Sequence, residues 1–165
     1  MYSRSNGIIL RFMTDNEITA AVVGTGHLGR HHVRILAGME GVRCIGAFDL
    51  NRDRLTEITT EHGVPALDSV EAAGAADAVV VATPTVSHRE IAGELLGSDC
   101  NVLVEKPITA TVAEAEELIE LAEKASKILA VGHVEYHNPA VQAALSLAED
   151  VRYLESQRLS PSVSY

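Results

Sequence analysis

The sequence has no tryptophan, only two cysteines, and aromatic residues at just 4%. Cys44 and Cys100 make neither a disulfide framework nor a zinc-ligand spacing, and such sparse cysteine points to a reducing, cytoplasmic setting. Cations are also short: 13 Lys and Arg stand against 23 Asp and Glu, a net charge of −10 with histidine neutral. That deficit leaves no positive field to attract a phosphate backbone, which excludes a nucleic-acid partner. No apolar run exceeds about six residues, against the roughly twenty that a membrane-spanning helix needs. Ile8-Ile9-Leu10 is too brief for the core of a signal peptide, and no small-residue cleavage site follows it. What the sequence has in quantity is apolar side chain, 47% of 165 residues. This suffices to build the core of one domain and is too much for a disordered chain.

Residues 1–17 mix small polar residues and single charges, and are expected to form a tail. From Ile18 onward, strand-like and helix-like segments alternate. Strands are predicted at Ile18–Gly24, Val42–Phe48, Ala78–Ala82, Asn101–Glu105 and Ile128–Gly132, with a short one at Pro65–Leu67 and a last one at Val151–Leu159. Helices are predicted at His27–Ala37, Arg52–His62, from about Ser69 to Ala73, from a Thr85 cap to about Leu96, at Thr111–Ala125, and from Asn138-Pro139 to about Ala148. The strands are nearly continuous apolar runs, as in strands buried on both faces. Short connections between alternating elements specify a doubly wound α/β fold, a parallel sheet with helices on both sides. One domain over 18–160 is expected, followed by a short tail at 161–165.

The first strand runs into Gly24-Thr25-Gly26-His27-Leu28-Gly29 and directly into a helix. This is the G-x-G-x-x-G pattern of dinucleotide-binding turns in its proper context. Gly24 permits the turn, Gly26 lets a pyrophosphate approach the backbone, and Gly29 lets the helix pack on the strand. The helix N-terminus then offers its N–H groups to phosphate. Asp49, at the end of the second strand, can accept hydrogen bonds from an adenosine ribose and repel a 2′-phosphate, favouring NAD over NADP. Alternatively it is a turn or cap residue ahead of the next helix. Arg52 is close enough to pair with a 2′-phosphate. Other glycine loops fit poorly: a P-loop would need Lys and Ser/Thr after Gly29, where Arg30-His31 stand. No acidic residue precedes the glycines as in many methyltransferases, and no G-x-S-x-G exists for a serine hydrolase. His27 and His31, four apart, lack a third metal ligand, so no metal is expected.

Ligands of parallel α/β sheets bind beyond the carboxyl ends of the strands. Those ends here are Ala82-Thr83-Pro84-Thr85-Val86-Ser87-His88, Glu105-Lys106-Pro107 and Gly132-His133-Val134-Glu135-Tyr136-His137-Asn138-Pro139. With GTGHLG, the acidic end of strand two, ATPTVSH, VEKP and GHVEYHNPAV all falling in order over about 18–160, the sequence resembles the glucose–fructose oxidoreductase/inositol dehydrogenase (Gfo/Idh/MocA) family. The last segment is similar to the branch acting on nucleotide sugars such as UDP-N-acetylglucosamine.

The resemblance implies a Rossmann fold and an NAD(P)-dependent oxidoreductase moving hydride between a nicotinamide and a secondary alcohol or ketone of a sugar, cyclitol or nucleotide sugar. It implies that Lys106 lies at the reacting carbon, with Glu105 orienting it or touching ribose, and that Pro107 aims it, through an extended Lys106 and possible cis geometry. Thr83, Pro84 and His88 would follow the dinucleotide, as would His27 and Leu28 in the glycine turn. His133 and Tyr136 would face the substrate. Read on its own, Lys106 is equally a polar residue closing a strand, and His88 a surface or capping group.

Relatives continue past the segment like Leu154–Pro161 into a second α+β domain, whereas only Ser162–Tyr165 follow Pro161 here. The chain is therefore expected to be a fragment or a stand-alone cofactor domain that turns sugar over poorly. The alternative function is a non-catalytic NAD-binding module. A surface bared by the missing domain predicts a homo-oligomer.

Overall fold

The computed structural model describes residues 17–147 together with Arg152, Tyr153 and Glu155. The chain divides into two compact units, one ending at Gly132 and the other beginning at His133. The first unit is a five-stranded, wholly parallel sheet in the order β2-β1-β3-β4-β5. Its strands are β1 (Ile18–Val23), β2 (Val42–Phe48), β3 (Ala78–Val81), β4 (Asn101–Val104) and β5 (Leu129–Val131). Its helices are α1 (Gly29–Ala37), α2 (Arg52–His62), α3 (Val70–Ala73), α4 (His88–Gly97) and α5 (Val112–Ala125). The expected doubly wound fold is the observed one.

Small and β-branched residues fill the central strands because both of their faces are covered. Along β1, Ala21 and Val23 join one core with Val79, Val81, Val102 and Val104, closed by Ala92, Leu95, Leu96, Leu118 and Ala122 of α4 and α5. Val22 faces the other way, into a cluster with Val33, Ala47, Leu55 and Ile58 from α1, β2 and α2. Each leucine so buried contributes about 1.5–3 kcal/mol of transfer free energy. Helices therefore lie on opposite faces, and the strand order reverses on either side of β1. A crevice opens at that point, beyond the C-terminal ends of β1 and β3.

Local signals set the helix limits. Asn51 caps α2, its side chain accepting from the Arg54 N–H at 3.0 Å, and Gly63 ends it in the left-handed region at φ 66°. Thr111 and Glu114 form a reciprocal capping box at α5. Four strands are shorter than expected by a residue or two, and two helix starts differ for a local reason. The glycine turn extends through Leu28, so α1 starts at Gly29 rather than His27. Thr85 does not cap: a 3₁₀ turn over Thr85–Ser87 comes first, and the Ser87 hydroxyl bonds back to Thr83 and the Pro84 carbonyl. The segment 65–67 makes a single parallel bridge, Ala66 to Ala47, rather than a strand.

The second unit holds a 3₁₀ turn over Val134–His137 and a helix, α6 (Pro139–Leu147). Asn138 closes that turn and opens α6: its side chain donates to Glu135 at 2.8 Å and accepts from the Ala140 N–H at 3.0 Å. The strand expected at 151–159 lies, apart from Arg152, Tyr153 and Glu155, outside the described residues, as do the tail expected at 1–17, apart from Glu17, and the tail at 161–165. Among the described residues no helix is long and apolar enough to cross a membrane.

Candidate dinucleotide site

A cavity of about 780 Å³ occupies the crevice, and Gly24, Gly26, Asp49, Thr83, Glu105 and Lys106 all line it. The turn, the acid of strand two and the lysine of strand four thus share one space. His27, Leu28, Pro84 and His88 also border it. Gly29, Arg52 and Pro107 do not border it, and His133 and Tyr136 belong to the second unit.

The three glycines of the turn are needed for different reasons. Gly24 has φ +92°, and a Cβ there would lie 2.7 Å from the Ala82 carbonyl oxygen. A Cβ on Gly29 would lie 1.8 Å from the Gly24 oxygen, so the helix could not start where it does. A Cβ on Gly26 would have no atom within 4 Å. The fold itself does not require glycine there; only something occupying the cavity would. This is the behaviour expected of the position at which a pyrophosphate approaches the backbone, and the residues present fit a dinucleotide.

Asp49 is 6% exposed and its carboxylate is densely bonded. Oδ2 accepts from the Thr25 N–H at 2.7 Å and the Thr25 hydroxyl at 3.0 Å. Oδ1 accepts from the Asn51 N–H at 2.8 Å. Arg54 adds Nη2 at 2.9 Å from Oδ1 and 3.0 Å from Oδ2, with Nε at 3.3 Å from Oδ2. Burial pushes this carboxyl upward, but the bonds from Thr25, Arg54 and Asn51 together outweigh it and hold Asp49 below the usual carboxylate value.

Arg52, the arginine expected beside Asp49, goes elsewhere. Its guanidinium donates to the carbonyls of Leu67 and Asp68, both at 3.3 Å, and lies 5.6 Å from the Phe48 ring centre. The first turn of α2 explains the exchange: the Asn51 cap turns Arg54, at the third helical position, back toward the strand end. Arg54 borders the cavity and Arg52 does not.

At the end of β4, Glu105 is 5% exposed. Its Oε1 lies 2.8 Å from His32 Nε2 of α1, and Oε2 accepts the Lys106 N–H at 3.2 Å. The Lys106–Pro107 peptide bond is cis. His88 is 1% exposed, with Nδ1 at 3.0 Å from the Pro107 oxygen and Nε2 at 2.8 Å from the Thr83 oxygen. Both partners are carbonyls, which only accept, and the tautomer sets which ring nitrogen donates. Either way the ring nitrogens face backbone, so His88 ties the Thr83 and Pro107 turns together rather than offering a nitrogen to a ligand. Thr25, Arg54 and His32 were not singled out from the sequence. Their signals were weak: a hydroxyl in a variable slot of the glycine turn, an arginine five residues beyond the acid, and a histidine one place past the His27/His31 pair.

Comparison with known proteins places this geometry. Residues 18–133 match the family described as an oxidoreductase family with an NAD-binding Rossmann fold. The chain belongs to the Gfo/Idh/MocA family. Among Gfo/Idh/MocA relatives, UDP-N-acetylglucosamine 3-dehydrogenase of Acidithiobacillus ferrooxidans is 37% identical over 142 residues, covering 85% of this chain and 45% of that protein. Its solved structure, 35% identical, superposes with a TM-score of 0.75 over 79% of this chain and 43% of that one. GenD2 from gentamicin A biosynthesis, solved in complex with NAD, is 30% identical with a TM-score of 0.77, over 82% of this chain and 40% of that one. Inositol 2-dehydrogenase 1 of Saccharopolyspora erythraea is 33% identical over 131 residues, 74% of this chain and 39% of that protein. The chain thus spans less than half the length of each of these proteins.

Proposed function

We propose that this chain is the cofactor-binding part of an NAD-dependent dehydrogenase acting on a secondary alcohol or ketone of a sugar, cyclitol or nucleotide sugar. One observation carries the reading. A glycine that its own fold does not require, a carboxylate at the second strand end and the lysine of the Glu105-Lys106-Pro107 turn all face a single cavity. Gly24, Gly26 and the amides opening α1 would seat the diphosphate, and Asp49, with Thr25 and Arg54, would meet the adenosine ribose. Thr83 and Pro84 would border the nicotinamide half. When bound, NAD supplies the hydride acceptor. Lys106 would bond the substrate oxygen: in oxidation its neutral amine would accept the alcohol's proton as hydride leaves for NAD, and in reduction the ammonium would return that proton and stabilise developing negative charge on oxygen. Glu105 would position the lysine backbone through the Lys106 N–H.

The relatives that act on UDP-N-acetylglucosamine and inositol favour a sugar-like substrate, and a nucleotide sugar is the first class to try. A reducing, cytoplasmic setting agrees with the two free thiols. Self-association of the chain belongs to the same reading and is measured by sedimentation. The deciding experiment is an NADH fluorescence titration of the wild-type chain and of Lys106→Ala. Both proteins should bind NADH with similar affinity, while any hydride transfer to a panel of UDP-sugars and inositols disappears in the variant. Absence of NADH binding by the folded wild-type chain overturns the proposal. Binding with equal turnover by Lys106→Ala overturns the role of the lysine.

A further inference from the structure

We infer that His32 is a positioning residue whose bond to Glu105 keeps the Lys106 ammonium free at the cavity; the inference rests on the reading of Lys106 as the group that meets substrate oxygen. The Glu105 side chain is 7% exposed, and its backbone N–H is bonded to the Val81 carbonyl at 2.9 Å. Behind the carboxyl stands Gly132, where even a Cβ would approach the two oxygens to 3.0 and 3.2 Å. The carboxylate therefore has little room to turn. One oxygen holds the Lys106 N–H and the other faces His32 Nε2. Since a carboxylate accepts, Nε2 carries the proton in this bond.

A carboxylate so far from water needs its partners; one left without a donor recruits the nearest available cation. The residue next to Glu105 in the chain is a lysine. Among the described residues Lys106 makes no ion pair, although its neighbour is a buried acid. His32 accounts for this: reaching from the helix that opens at the glycine turn, it supplies the donor that the ammonium would otherwise provide. The same contact couples the first helix to the Glu105-Lys106-Pro107 turn, so the phosphate-side and lysine-side halves of the cavity are held in one register.

The test uses the fact that the sequence contains three lysines, Lys106, Lys124 and Lys127. Trace acylation with an activated acetyl ester at one fixed pH, read by peptide mass spectrometry, gives the Lys106:Lys124 labelling ratio. In His32→Phe the ratio should fall about tenfold, the scale of a charge-assisted hydrogen bond that must break before the amine reacts. His32→Gln places an amide N–H near the Nε2 position and should restore the ratio to about that of wild type. Where Phe prevents folding, His32→Asn, too short to reach Glu105, takes its place. An unchanged ratio in His32→Phe or His32→Asn overturns the inference, as does a fall in His32→Gln as large as theirs. NADH titration of the same samples judges the dinucleotide reading separately, because the labelling ratio needs no bound cofactor.

Discussion

Arg54 holds Asp49 through both carboxylate oxygens, Nη2 standing 2.9 Å from one and 3.0 Å from the other. Under the proposed function, the acid that would repel a 2′-phosphate thus carries with it a cation able to accept one. Because the Arg54 side chain is 45% exposed, the pair adds little to stability, within about 1 kcal/mol. Its consequence is for ligand choice.

Arg54→Ala should leave NADH affinity within about threefold and weaken NADPH about tenfold or more, the loss of one charge-assisted contact. Parallel fluorescence titrations with the two nucleotides measure this. Equal losses for both would mean that Arg54 does not reach the 2′ position.

The glycines of the turn should separate folding from binding. Gly26→Ala meets no protein atom, so its thermal midpoint should match wild type while NADH binding falls about tenfold or more, as expected when a methyl group fills the seat of a phosphate. Gly29→Ala collides with the Gly24 carbonyl and should cost more than about 2 kcal/mol in urea unfolding. If Gly26→Ala binds NADH normally, the diphosphate does not lie there.

Asp49 makes stability depend on pH in a direction that can be fixed. Its folded carboxyl is held below the ordinary value, with burial opposing and the Thr25, Arg54 and Asn51 bonds prevailing. The unfolded chain therefore takes up the proton first as pH falls. The contribution is complete above the ordinary carboxylate value of about 4 and disappears as pH drops through the lower folded value. Asp49→Asn should lose about 1–3 kcal/mol at pH 7, and its deficit against wild type should shrink below about pH 4. Asp77 has the same sign, lowered chiefly by the Thr19 hydroxyl and N–H. Denaturant titrations at pH 7 and pH 3 give the comparison.

Burial raises the Cys100 thiol to about 11, and the side chain is wholly buried. Cys44, half-buried, is raised for the same reason. At pH 8 neither should react quickly with an aromatic disulfide reagent, and Cys100 should react only as fast as the protein unfolds. Rapid labelling of Cys100 in the native protein would show that β4 opens locally.

The elements were legible wherever one physical signal dominated. The limits of β2 and α2 follow from a β-rich run and from the Asn51 and Gly63 caps, and the Thr111/Glu114 box marks the start of α5 as its residues suggest. The strand ends also placed Thr83, Glu105 and Lys106 on one edge, because a parallel sheet collects its carboxyl ends there. The contacts between distant segments were not legible. Arg52 and Arg54 are chemically identical, and only the turn of helix after Asn51 decides which of them faces Asp49. His32 looks like one of a surface run of histidines until the sheet brings Glu105 beneath it, 73 positions further along the chain. His88, expected along the dinucleotide, borders the cavity but directs both ring nitrogens at backbone, a result of how two separate turns meet.

The bridge between Ala47 and Ala66 has a further effect. Gly46, at φ +150°, lets residues 65–67 lie against β2, where the Ala47 N–H and carbonyl are taken by Pro65 and Leu67. The outer margin of β2 is thus covered at Ala47, near its C-terminal end, and β5 at the opposite margin has only three residues to template an addition. Among the described residues, a strand of another molecule could lengthen the sheet only along β2 before Ala47 or along the three residues of β5.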